Sequence, residues 1–182
     1  MKIFKTDIKD LLIIEPNVFG DSRGWFSETY NEKVFKENGI DIIFKQDNHS
    51  YSKQKGVLRG LHFQNEPYAQ TKLVRCTRGK IWDVAVDLRK SSPTYLKWIG
   101  IELTPENHKM LLIPQGFAHG FVTLEEDTEV QYKVNNLYNT DTDRAIQYND
   151  PDINVIWPLN EVILSEKDKK APNLKDSDVN FK

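Results

Sequence analysis

From Ile42 to Trp157 the chain is cut into short segments rich in β-branched and aromatic side chains, each closed by a turn signal. That spacing is the pattern of an antiparallel sandwich or barrel, because strands so short cannot bury themselves and must stack on another sheet. "KLVRCTRGKIWDVAVDL" is the clearest case, two strands with Arg78 and Gly79 at the turn. "IGIEL", "HKMLLIP", "FAHGFVTL" and "EVQYKVN" follow, divided by "TPEN" and "EEDT". Ahead of them "NEKVFKENG" sets Val34 and Phe35 between charges with Gly39 as a stop, which predicts a short helix. The expected fold is all-β, a barrel or sandwich with a few short peripheral helices.

A length of 182 residues predicts one domain over residues 1–182. The net charge of -2 argues against a polyanion held by surface charge, so no nucleic-acid partner is expected and any anion site must be local. A single cysteine, Cys76, rules out an intrachain disulfide and a thiolate metal cluster and points to a reducing compartment. The start "MKIFKTDIKD" lacks the apolar run of a signal peptide, and no stretch approaches the length that spans a bilayer. A cytoplasmic chain with no membrane partner is expected.

Several polar residues sit where such strands should be apolar. In "GVLRGLHFQ", strict alternation turns Leu58, Gly60, His62 and Gln64 to one face and Val57, Arg59, Leu61 and Phe63 to the other. Val57, Leu61 and Phe63 are then expected in the core between two sheets, and Arg59 is misplaced among them. A bulge at Gly60 would relieve the conflict. This segment alone reads His62 as a satisfied structural histidine ahead of a functional one. Lys72 shares its face with Val74 and Cys76, so its ammonium points inward and needs an anion, unless it snorkels to solvent. Tyr132 lies between Val130 and Val134, a phenol facing the interior.

"IPQGFAHGF" carries Pro114, Gly116 and His119, and resembles the second motif of the cupin superfamily, PxGxxH. The first cupin motif, a histidine pair, is absent, since "LHFQ" offers one histidine. A metal site needs three or four convergent ligands, and none can be assembled, so no metal is expected. Further toward the N-terminus, "GDSRGWFSETY" offers Arg23, Phe26 and Glu28, and "QDNHS" offers Gln46 and Asn48 on one face. An arginine fork suits a phosphate, and an aromatic ring can cover a base.

In this order and spacing "FGDSRGWFSE", "QDNHSYS", "GVLRGLHFQ", "QTKLVRCTRGKIWDVAVDLRKSSPTY", "IPQGFAHGF", "QYKV" and "LSEKD" resemble the dTDP-4-dehydrorhamnose 3,5-epimerase family of nucleotide-sugar epimerases, from Phe19 to Asp168. The resemblance implies a cupin-type jelly roll, a homodimer, and no cofactor. It implies as substrate dTDP-4-dehydro-6-deoxyglucose, a dTDP-4-keto-6-deoxy sugar, inverted at carbons 3 and 5. It places the catalytic histidine on His62, its carboxylate on Asp168, the tyrosine on Tyr132 and the pocket lysine on Lys72. Substrate-binding positions fall on Arg23, Glu28, Gln46, Asn48, Arg59, His119 and Asp143, with Phe26 and Tyr138 near the thymine. The charged tail "LSEKDKKAPNLKDSDVNFK", otherwise readable as a solvated end, must then fold back over the barrel mouth. Single-carbon epimerases, 3,4-ketoisomerases and a non-catalytic sugar-nucleotide-binding cupin remain as alternatives.

Overall fold

The computed structural model describes residues 1–182. One antiparallel sheet runs β1 (Lys2–Lys5), β2 (Leu12–Glu15), β10 (Met110–Ile113), β7 (Lys72–Arg78), β12 (Thr128–Val134) and β5 (Gln46–Ser52). The facing sheet runs β13 (Asp143–Ala145), β6 (Leu58–Gln64), β11 (Phe117–Thr123), β8 (Ile81–Asp87) and β9 (Trp98–Leu103). A separate hairpin joins β3 (Val18–Asp21) to β4 (Gly24–Ser27). The predicted helix is α1 (Glu32–Glu37), where Asn31 caps the first turn through Val34 N and Gly39 takes φ +82 just past the end. The turn at Gly79 also stands where expected, at φ +72, but the strands it joins enter opposite sheets.

Three apolar clusters hold these layers. Val74, Cys76, Ile81, Ala85, Phe121 and Val130 are among the residues that fill the space between the sheets. Leu61, Phe63, Val84 and Val86 face the other way and pack under Ile146, Ile153 and Phe181 of the C-terminal segment. Leu73 and Leu112 bind the outer face of the six-stranded sheet to Phe35 of α1. Both sheets are therefore covered on both faces, which is why "MLLI" and "IWDVAVD" read as near-continuous apolar runs rather than clean alternations.

This layering corrects one expectation. Leu61 and Phe63 belong to the outer cluster, and Val57 makes only an isolated bridge to Ile163. The reason is a bulge in β6. His62 stands opposite His119 and Arg59 opposite Phe121, so β6 carries one more residue than β11 between those pairs. The extra residue resets the alternation. Arg59 and His62, three positions apart, thus line the same cavity while Leu61 turns outward.

Glycine is required here by contact. A Cβ on Gly60, whose φ is +136, would lie 2.5 Å from Gly120 Cα, and a Cβ on Gly120 would lie 2.9 Å from Arg59 O. The two backbones meet closer than any side chain permits. Gly60→Ala is expected to cost on the order of 1–3 kcal/mol of unfolding free energy, the range of overpacked sites, read by urea denaturation.

Candidate active site

Strands β6, β7, β11 and β12 and the C-terminal segment line a cavity of about 620 Å³. Its wall opposite the sheets is α2 (Glu166–Lys169), a single turn capped by Ser165. Ser165 Oγ accepts from Asp168 N at 3.1 Å and donates to Asp168 Oδ2 at 2.8 Å. Asp168 Oδ1 meets His62 Nε2 at 2.5 Å, across 106 residues of sequence. The backbone next to this turn is tied down as well, with Leu58 N donating to Ile163 O and Ile163 N to Gly56 O. The tail does fold back onto the barrel, and Asp168 is 3% exposed. Burial raises its carboxyl, but the His62 and Ser165 hydrogen bonds outweigh that and hold it below the usual carboxylate range.

A carboxylate can only accept, so the His62 proton that it binds is on Nε2, and Nδ1 is the basic nitrogen of the neutral ring. Lys72 lies next to this pair, 8% exposed, with Nζ 3.4 Å from the His62 carbonyl oxygen. Burial pushes its ammonium down to about 8, against the attraction of Asp143 and Asp83. Tyr132 projects from β12 into the same cavity, and burial pushes its phenol upward, so it stays protonated across the neutral range. His119 Nε2 donates to Asp83 Oδ1 over 2.7 Å, and burial lowers the imidazole against the pull of Asp83.

The rim is equally specific. Arg59 Nη2 donates to Tyr51 O at 3.1 Å, and both Nε and Nη2 reach Ser52 Oγ. Asp143 Oδ2 accepts from Lys167 Nζ at 2.5 Å and from the Tyr138 hydroxyl at 3.1 Å. Tyr138 N donates to Gln46 Oε1, and Gln46 Nε2 to Asn48 Oδ1, so Gln46 and Asn48 do not line the cavity and are linked to it through Tyr138.

Of the residues singled out from sequence, His62, Lys72, Tyr132, Asp168, Arg59, His119, Tyr138 and Asp143 all line the one cavity. Arg23, Phe26 and Glu28 do not line it. Arg23 is held by Asp21 at 2.6 Å with its side chain 87% exposed, and Phe19, Trp25 and Phe26 stand open to solvent on the same hairpin. Sequence reasoning missed Ser165, Lys167, Asp83 and Gln64. Ser165 had a signal, a serine three residues before a carboxylate at a helix start, and Asp83 had one in its inward parity with Ile81 and Ala85. Gln64 had none, since its bonds to Tyr68 O, Leu137 O and Asn139 N depend on the tertiary fold. No three His, Cys, Asp or Glu side chains are grouped to hold a metal ion, and both cavity histidines are tied to carboxylates.

Facing antiparallel sheets enclosing a histidine–carboxylate pair, a buried lysine and a phenol define a jelly-roll protein of the cupin type, equipped for proton transfer. Residues 5–176 match the family model for dTDP-4-dehydrorhamnose 3,5-epimerase, and the chain belongs to that isomerase family. It is 54% identical to the dTDP-4-dehydrorhamnose 3,5-epimerase of Shigella flexneri, over 98% of both chains. Among solved structures it is similar to the Bacillus anthracis enzyme with TDP and pyrophosphate bound, with a TM-score of 0.93 at 48% identity, over 95% of this chain and 99% of that one. The Legionella pneumophila enzyme, in complex with dTDP-4-keto-L-rhamnose, matches with a TM-score of 0.93 at 45% identity, over 97% and 94%.

Lys72 carries a testable cost. Its lowered proton affinity means the unfolded chain binds more protons between about 8 and 10.5, so the penalty is fully present below 8 and fades as pH rises through that window. Lys72→Met is expected to raise the unfolding free energy at pH 7 by on the order of 1–3 kcal/mol, with the gain shrinking by pH 10, as read by urea titration.

Proposed function

We propose that this protein inverts carbons 3 and 5 of dTDP-4-dehydro-6-deoxy-D-glucose to give dTDP-4-dehydro-L-rhamnose, with residues 1–182 acting as one domain and the chain's own side chains supplying the chemistry. The observation that carries this reading is the His62–Asp168 pair in one cavity with Lys72 and Tyr132. A proton next to a ketone is removed only if the enolate is stabilised, which needs a base, a cation at the oxygen and an acid on the other face. His62 Nδ1 takes the proton from the carbon, and Asp168 stabilises the imidazolium. Lys72, ammonium below about 8, faces the developing oxyanion. The C–H electron pair moves into the enolate, and Tyr132 returns a proton to the opposite face of the same carbon, inverting it. Reprotonation of Tyr132 and loss of the His62 proton to solvent restore the site, and the second carbon follows by the same steps.

Arg59 serves the diphosphate, His119 and Asp143 the sugar side of the cavity, and Tyr138 the thymine. Binding of TDP by the Bacillus anthracis relative supports the nucleotide half of this assignment. Arg23, Phe26 and Glu28 enter by another route. Three exposed aromatics on a hairpin that packs in neither sheet favour burial against a second copy, so the working form is a homodimer in which the hairpin of one copy reaches the cavity of the other. Its location is cytoplasmic, in keeping with one buried, unpaired cysteine; no helix is long and apolar enough to cross a membrane.

Incubation with the 4-keto sugar in deuterium oxide is expected to place deuterium at carbons 3 and 5. His62→Ala should lower that exchange by on the order of 10²–10⁴-fold, and exchange retained at the wild-type rate would remove His62 as the base. The shared site has its own test. Co-expressed His62→Ala and Arg23→Ala chains form mixed dimers with one intact cavity, and activity is expected to recover well above that of either variant alone; no recovery sinks the hairpin exchange.

A further inference from the structure

Asp83 is the one carboxylate in the apolar space between the sheets whose bonds are only half made. It is 0% exposed on β8, and its inward neighbours Ile81 and Ala85 are both members of the central apolar cluster. Oδ1 meets His119 Nε2 at 2.7 Å, while Oδ2 is buried with no hydrogen-bond partner. The fold asks only for volume at this position. A carboxylate there works against stability, and a buried unsatisfied oxygen calls for an explanation in function.

We propose that Asp83 is a positioning residue of the proton-transfer site, acting through His119, whose proton it fixes on Nε2, and through Lys72, whose ammonium it balances. The inference rests on the cavity being that of an epimerase. His119 lies directly across the ladder from His62, and each imidazole is bonded to its own buried carboxylate. Burial drives both His119 and Lys72 toward neutrality. Asp83 opposes it in each case, alongside Asp143 at Lys72 and against Lys167 there; at His119 it acts against Lys72 and His62. Without Asp83 the floor of the cavity holds a lysine and two imidazoles with one carboxylate fewer, and the ammonium that meets the enolate loses its proton at a lower pH.

Asp83→Asn keeps the volume and an acceptor for His119 but removes the charge. The alkaline limb of the kcat profile is expected to move toward neutral pH by about one unit, with KM little changed and the melting temperature held or raised. A limb that stays in place with kcat within about twofold of wild type overturns the proposal, since loss of a merely structural group would lower stability without moving the limb. Nitrogen-15 histidine spectra of the wild-type protein form the second arm and need neither turnover nor a folded variant. They are expected to show His119 protonated on Nε2; a neutral ring protonated on Nδ1 overturns the proposal. Absence of exchange by the wild type would instead count against the epimerase reading and leave this arm standing.

Discussion

One extra residue in β6, set against Gly120, governs what the cavity can be. A regular ladder turns residues 59 and 62 to opposite faces, one toward the sheet interior and the other into the apolar layer under the C-terminal segment. The bulge brings the guanidinium and the imidazole into one space and sends Leu61 outward to pack with Val84 and Ile146. Imidazole and guanidinium share a wall because of a backbone irregularity that tolerates no Cβ on either strand.

The interior is organised around charges that the fold alone would not choose. Lys72, His119, Asp83 and Asp168 are all nearly inaccessible, and burial acts against the charged form of each. Each of the two carboxylates is bonded to a histidine, and the lysine sits between Asp143 and Asp83 in the electrostatic balance. Such an arrangement lowers stability relative to an apolar filling, and it brings the Lys72 ammonium down to about 8.

Much of this was legible in the residues. The all-β class, the short helix α1 with its Gly39 stop, the inward faces of Lys72 and Tyr132, and the conflict between Arg59 and His62 follow from turn chemistry and period two. The outward packing of Leu61 and Phe63 was not, because alternation cannot say which face of a doubly covered sheet is the barrel interior. The first fifteen residues were also silent. β1 and β2 are short edge strands whose pattern differs little from a polar loop, and they gain their place only by pairing with β10. Asp168 sits in a segment whose charge density matches a solvated tail; its role came from family resemblance, and only the tertiary fold brings it to His62.

That last contact orders events in time. Asp168 follows His62 by 106 residues, and Phe181, which clamps the same tail against Phe63, comes later still. During synthesis the strand bearing the imidazole is made long before the carboxylate that orients it. A chain halted before Asp168 holds the barrel strands with a histidine that lacks its carboxylate, so this buried pair can close only after nearly all of the barrel has been made.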